Sequence, residues 1–526
     1  MSAKRILIFL SLGAGALLGF CVIIYLTSQR GIGLTIDGPI YIALARHFLN
    51  DSTKNVFLPY NLLYTCFPLF FPFFLSCCSR LSGFDPAETV RWLHATFMAC
   101  NVLCIGFLLE KYTRSLLIAI AGLLLACFSL TSLSIYSSAL SEPLFIFFTL
   151  LWLIFFMDFL EDSKQRTSFI LCIVMLMCAC ITRWAGLTLT ITSITGILML
   201  KREEIKTRLV YMAILGGIGL LPMFIWSGIN RLSVGIPIDR IFVFHPPALS
   251  GYNILDELFF VNIGDLPFFV KKYVVILMSI FLVLGWMIWE KRDKDIADRI
   301  PATVVNFIRV LFLFCFIYYV GLVLTMVFFD ATTKPDHRML FPLHIFWILL
   351  TCVLLHILLM ANKKSKMMKA LFIMLFICIG GTNGMGIIKW ALQRHAKGED
   401  YDGMAWQNSA IIAEVKKIPL GKVLYTNNSN ALYVAAKREA LNIVFVSKND
   451  IVFPMSNSLR SSFMTSMRND LRTYHGLLVY CDRLCESCKG FPSIDELREE
   501  FPLKVVQRVS DGAIYAWDEH RSIAGQ

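Results

Sequence analysis

A polytopic all-α membrane domain followed by a small C-terminal α/β domain is the fold class this chain predicts, on three observations. Hydrophobic residues make up 57% of its 526 residues and charged residues only 16%, with a mean hydropathy of +0.66. A water-soluble chain cannot hide that much apolar surface, whereas lipid accepts it. Apolar stretches long enough to cross a ~30 Å hydrocarbon layer recur up to about residue 390. Beyond that point the composition changes abruptly to short β-type runs and polar helices.

The elements follow in order. Lys4 and Arg5 precede an apolar run over 5–27. At about 22 residues this run is longer than a signal-peptide core, and no A-x-A site follows, so it reads as a retained first span. Ten further spans are expected near 90–109, 115–135, 139–158, 168–182, 184–200, 208–228, 268–289, 304–329, 339–361 and 370–388. Basic clusters between them, such as Lys201-Arg202, Lys291-Arg292 and Lys363-Lys364, mark cytoplasmic loops. This assigns the +12 net charge to topology and argues against a nucleic-acid partner. The N-terminus is then cytoplasmic, and the C-terminal domain and a first outer loop, 28–89, lie on the other side. The alternation closes only if 61–79 does not cross. That segment carries Pro68 and Pro72 in an aromatic run, which suits an interfacial or dipping segment.

The membrane domain is expected over 1–390 and the extracytoplasmic α/β domain over 391–526. In the latter, Val423-Leu424-Tyr425, Ile443-Val444-Phe445-Val446, Leu477-Leu478-Val479-Tyr480 and Ala513-Ile514-Tyr515-Ala516-Trp517 read as strands. Segments 404–417, 430–437 and 494–501 have helical spacing. All but three of the sixteen cysteines lie in or beside apolar stretches and act there as small hydrophobes. Cys481, Cys485 and Cys488 cluster in the tail, where a disulfide is favoured over zinc because no second cluster completes a four-ligand site. Asn50-Asp51-Ser52 and Asn427-Asn428-Ser429 are glycosylation sequons on the outer side.

Charges at a membrane rim are costly, so each needs a reason. On the outer side they are Asp37, Arg46, His47, Glu142, Arg183, Asp239, Arg240, Asp265, Asp330, Asp336, His337 and Arg338. Asp37 precedes Gly38-Pro39 and an apolar stripe of Ile40, Leu44 and Phe48. It is either a helix cap or a carboxylate held at the lipid boundary to take a proton from a hydroxyl. Glu142, in Ser141-Glu142-Pro143, opens a span and has the same capping alternative. Arg183, between two spans, either snorkels or binds an anion, and Arg338 opens another span in Asp336-His337-Arg338. Two outer arginines facing a carboxylate suit a lipid phosphate.

The first-loop pattern Asp37-Gly38-x-x-Tyr41-x-x-x-Ala45-Arg46 resembles that of the GT-C fold membrane glycosyltransferases, which use polyprenyl-phosphate sugars. They include dolichyl-phosphate-mannose-type and aminoarabinose-type transferases. Ser141-Glu142-Pro143-Leu144-Phe145, Thr182-Arg183-Trp184-Ala185-Gly186 and His337-Arg338-Met339-Leu340-Phe341-Pro342 look like span-opening motifs of this group, in the same order. The tail segment from Tyr401 to Tyr433 resembles that of its bacterial members, which implies a cell-envelope protein of a bacterial inner membrane.

The resemblance implies a general base at Asp37. It implies phosphate contacts at Arg183 and Arg338, sugar or acceptor contact at Glu142, and a substrate-facing set completed by Tyr41, Asp336 and His337. The donor is a polyprenyl-phosphate sugar, transfer inverts the anomeric carbon, and the acceptor is a hydroxyl. Two features depart from the pattern. Gly38 follows Asp37 where many relatives have a second acid, and Leu58-Pro59-Tyr60 stands where some have Lys-Pro-Pro. The sugar is therefore unspecified, and no acidic pair demands a divalent metal, although the group allows one. Other readings are a lipid-linked glycan polymerase or ligase, a transporter, and a non-catalytic scaffold. A polymerase should carry its largest outer loop between late spans, and a transporter should carry charges deep within spans.

Overall fold

The structure, a computed structural model, describes residues 3–35, 37–50, 68–162, 165–201, 203–234, 244, 300–329, 336–361, 386–443, 457–482 and 492–520. Its helices begin with α1 (Ala3–Leu26), α2 (Gly38–Asn50), α3 (Phe70–Ser82) and α4 (Pro86–Thr113). Then come α5 (Leu116–Phe128), α6 (Leu130–Tyr136), α7 (Glu142–Glu161), α8 (Arg166–Thr182) and α9 (Gly186–Leu200). The helical part continues with α10 (Ile205–Val234), α11 (Ala302–Phe328) and α12 (Phe341–Ala361). Of these, α1, α4, α7, α10 and α11 are each long and apolar enough to cross a membrane. Together α5 and α6 qualify as well, across a 58° bend where Ser129 caps α6, while α8, α9 and α12 are shorter apolar helices. The span expected at 268–289 and most of that at 370–388 lie outside the described residues, as do Asp239, Arg240, Asp265 and Asp330.

Of the segment 61–79, residues 70–79 belong to α3, a helix of 13 residues that runs on to Ser82. At 1.5 Å per residue that helix is about 20 Å long, short of the hydrocarbon thickness. It lies against α2, with Phe71 edge-on to Tyr41 at 5.1 Å between ring centroids.

α7 forms the centre of the bundle. Phe145, Leu150, Trp152, Leu153 and Phe156 are fully buried, and the Trp152 indole N–H donates to Ser193 Oγ (3.0 Å), which satisfies its one polar group in an apolar interior. By contrast α1 and α10 leave Phe9, Leu10, Leu17, Leu221 and Phe224 exposed, which is what lipid-facing helices require.

The C-terminal part contains α13 (Ala410–Lys417), α14 (Asn457–Thr473) and α15 (Ile494–Glu500) around five short strands: β1 (Leu424–Thr426), β2 (Leu441–Asn442), β3 (Leu477–Cys481), β4 (Leu503–Val509) and β5 (Gly512–Trp517). The sheet order is β2-β1-β3-β5-β4, with β2, β1 and β3 parallel and β5 and β4 antiparallel. Strand residues alternate between two cores, as the two-residue pleat dictates. Leu424, Val479 and Ile514 join a core continuous with the membrane helices, whereas Tyr425, Leu478 and Tyr515 pack with Phe463, Leu497 and Phe501 on the other face.

The expected strands at Leu424, Leu477 and Ala513 are present, while most of that starting at Ile443 lies outside the described residues, as do Cys485 and Cys488. Ser409 interrupts the helix expected over 404–417 by capping α13. Cys481 is a buried free thiol. The sequon at Asn427 is not an accessible acceptor: the side chain is 3% exposed, and its amide exchanges hydrogen bonds with the Cys481 backbone (2.9 Å each).

Candidate active site

The site is set by three chain segments lying side by side. Gly33 and Leu34 run between 137–139 and 400–402, with parallel bridges Gly33 to Ser138 and Leu34 to Asp400. Gly33 N–H donates to Ser137 O (2.8 Å), Ala139 N–H to Gly33 O (2.7 Å) and Tyr401 N–H to Leu34 O (3.3 Å). The first segment leads into Asp37 and α2, and the second into Ser141, Glu142 and α7. Backbone pairing therefore delivers the two acidic residues to one place.

Two tight turns supply the arginines. Arg183 ends α8, and Gly186 lets α9 turn back at once, since a Cβ there would meet the Cys180 backbone at 2.6 Å. Arg338 lies in the turn before α12. There the Asp336 carboxylate accepts the N–H groups of Arg338 (3.1 Å) and Met339 (2.9 Å), and Tyr318 on α11 donates its hydroxyl to Met339 O (2.8 Å).

The four side chains meet. Arg338 Nη2 stands 2.6 Å from Asp37 Oδ2, and Arg338 Nε donates to Glu142 Oε1. Arg183 Nη1 is 2.8 Å from the same Glu142 oxygen and donates to Ser141 Oγ (3.0 Å), which lies 3.4 Å from the Tyr41 hydroxyl. The Glu142 side chain is 1% exposed, whereas Asp37, Arg183 and Arg338 are 14–16% exposed. Glu142 thus lies beneath both guanidinium groups, and the other three form the open layer. Two partly exposed positive charges sharing one buried carboxylate are held close together without the full cost of like-charge repulsion. Burial opposes charge on Arg338, but Asp37 and Glu142 outweigh it and raise its pKa well above the usual arginine value. Burial first, and the Asp37 charge second, push the Tyr41 hydroxyl up to about 12, so it stays protonated.

No protein-family model matches the chain, and no curated protein matches it. Among solved structures it is similar to ArnT from Cupriavidus metallidurans bound to undecaprenyl phosphate, at a TM-score of 0.50 and 12% identity over 99% of each chain. It is also similar to the archaeal oligosaccharyltransferase AglB from Archaeoglobus fulgidus in complex with an inhibitory peptide and a dolichol-phosphate. That match has a TM-score of 0.47 and 12% identity, over 98% of this chain and 75% of the other. The chain has the GT-C fold. It is a multi-pass integral membrane protein.

Within this GT-C fold, Asp37, Tyr41, Ser141, Glu142, Arg183 and Arg338 form one connected group, and two of the expected residues stand apart from it. Asp336 is engaged in starting the α12 turn, and His337 is exposed beside Asp400. The expected contact of Glu142 with sugar or acceptor meets a carboxylate covered by the two arginines.

A second group went unremarked in the sequence. Arg394, 2% exposed, donates to Ser137 O (3.1 Å), and its Nε lies 3.2 Å from Glu399 Oε2. Asp402 Oδ1 accepts the Leu34 N–H (3.3 Å), while its other oxygen is buried without a hydrogen-bond partner among the described residues. Burial raises both Glu399 and Asp402 to about 7, and raises Asp400 as well. The signal was the run Gly398-Glu399-Asp400-Tyr401-Asp402-Gly403, which carries three acids just past the last apolar stretch. Among the described residues no three His, Cys, Asp or Glu side chains converge to hold a metal ion.

Proposed function

We propose that the chain is a membrane glycosyltransferase that moves a sugar from a polyprenyl-phosphate carrier to an acceptor hydroxyl at the outer face, with inversion. The observation that carries this reading is the pairing of Asp37 with Arg338 in a partly open layer, beside Arg183 and above a buried Glu142. One carboxylate and two arginines are what this transfer needs. Asp37 accepts the proton of the acceptor hydroxyl as its oxygen forms the new bond to the anomeric carbon. The bond from that carbon to the phosphate oxygen breaks, and the electron pair leaves with the polyprenyl phosphate. Arg183 and Arg338 stabilise the phosphate charge through charge-assisted hydrogen bonds in a site already arranged for them. The undecaprenyl phosphate of the ArnT structure, on the same fold, supports a polyprenyl-phosphate donor.

The test is a liposome assay of wild-type protein and Asp37→Asn with a panel of radiolabelled polyprenyl-phosphate sugars. Asparagine keeps the size and the capping ability of aspartate but cannot take the proton. Turnover by wild type with a loss of at least about a hundredfold in the variant is expected. Equal rates would remove Asp37 as base, and failure of wild type both to turn over any donor and to bind polyprenyl phosphate would sink the transferase reading.

A further inference from the structure

Asp37 is carried on a stretch of chain that the C-terminal part grips at both ends. Upstream, Leu34 is held by residues 400–402: its N–H donates to Asp402 Oδ1 (3.3 Å) and its carbonyl accepts from Tyr401 N–H (3.3 Å). Downstream, Arg46 on α2 donates through Nη1 to the Tyr433 hydroxyl (2.7 Å), with its guanidinium over the Tyr433 ring at 5.5 Å. The rest of the Arg46 fork makes two bonds of 2.9 Å to Asp85, the residue that caps α4. Tyr433 therefore reaches a junction where α2, α4 and the C-terminal part meet.

We infer that Asp402 and Tyr433 are positioning residues that set where Asp37 stands, which makes the C-terminal part a working component of the site. This rests on the reading of Asp37 as the base. Neither residue belongs to the cluster around Arg338, so neither acts by touching the phosphate. Asp402 fixes the strand three residues before Asp37. Tyr433 acts through α2: nine residues separate Asp37 from Arg46, a lever of about 14 Å at the helical rise. A helix held only at one end can tilt about that end, whereas one held at both keeps its first turn in place. Misplacement of a catalytic group by about 1 Å costs up to about a hundredfold in rate while leaving binding elsewhere intact.

The experiment uses full-length protein in liposomes, with Asp402→Ala, Asp402→Asn, Tyr433→Phe, Arg46→Ala and the double variant Tyr433→Phe/Arg46→Ala. Three quantities are read: kcat for transfer, Kd for polyprenyl phosphate, and backbone hydrogen exchange over residues 33–46. Asp402→Ala and Tyr433→Phe are expected to lower kcat about tenfold to a hundredfold with Kd unchanged within about twofold. Asp402→Asn retains an acceptor for the Leu34 amide and should restore most of the rate. The double variant should be no slower than Arg46→Ala alone, because both changes break one linkage. Exchange should rise over 33–46 and stay unchanged in α7, which shows that the bundle is folded.

Unchanged kcat in both Asp402→Ala and Tyr433→Phe would overturn the inference, as would a parallel loss of Kd or additive effects in the double variant. If wild type neither transferred sugar nor bound polyprenyl phosphate, the functional reading would fall, and the exchange measurement would still judge the clamp. Unchanged exchange at 33–46 in Asp402→Ala would overturn it, and raised exchange there would uphold it.

Discussion

Arg338 holds two carboxylates at once, Asp37 at the open layer and Glu142 beneath. A phosphate bound as proposed would meet the guanidinium from the open side, competing with Asp37 and leaving Glu142 in place. On the proposed function, donor binding would do two things in one event: fix the leaving group and free Asp37 from its ion pair. The arrangement predicts an affinity change in an unusual direction. Asp37→Asn, which removes the competing charge, should bind polyprenyl phosphate about tenfold more tightly than wild type, a difference of about 1.4 kcal/mol. Arg338→Ala should bind it at least about tenfold more weakly. Titration of protein-containing liposomes with a fluorescent polyprenyl phosphate would measure both, and equal affinity of wild type and Asp37→Asn would rule out the competition.

The 386–402 region is the element whose behaviour should depend most on pH. Glu399 and Asp402 are raised by burial to about 7 from ordinary values of 4.5 and 3.8. Between those limits the folded protein holds protons that the unfolded chain has released, so the folded state is favoured at the acid end. The contribution of these two groups to stability is complete below about pH 4 and is lost as pH rises toward 7. Thermal melts from pH 5 to 8 should show this slope flattened in Glu399→Gln and Asp402→Asn, and an identical slope in the variants would count against it.

Much of this element scale was legible in the sequence and some was not, for physical reasons. Apolar runs gave the bundle, and the motifs carrying Asp37, Glu142, Arg183 and Arg338 named the residues that meet. Their partners were hidden because backbone pairing between Leu34 and Asp400 leaves no periodic trace across 366 residues. β4 escaped because it is an edge strand with Val505 and Val506 exposed and Lys504, Gln507 and Arg508 among them, so it lacks the alternation of a half-buried strand. α14 escaped because, among its described side chains, the buried ones are Phe463, Met467 and Leu471 in a polar run.

At the scale of the whole molecule, the helices divide by what surrounds them. α7 is sheathed by protein, whereas α1 and α10 turn large apolar side chains outward. A lipid-soluble carbene precursor should therefore label α1 at Phe9, Leu10 and Leu17 and α10 at Leu221 and Phe224, and should spare α7. Mass spectrometry of the labelled peptides would check this, and heavy label on Phe145 or Phe156 would contradict the packing. The pairing of Leu34 with Asp400 also bears on how the protein is made. A ribosome emits the N-terminal strand first and its partner only after most of the chain has been inserted, and contacts so distant in sequence are slow to close. Until then Leu34 lacks one neighbour and α2 lacks its far anchor at Tyr433. The nascent chain would pass through insertion with Asp37 unsupported, and the group around Asp37 would be complete only when its last quarter had folded.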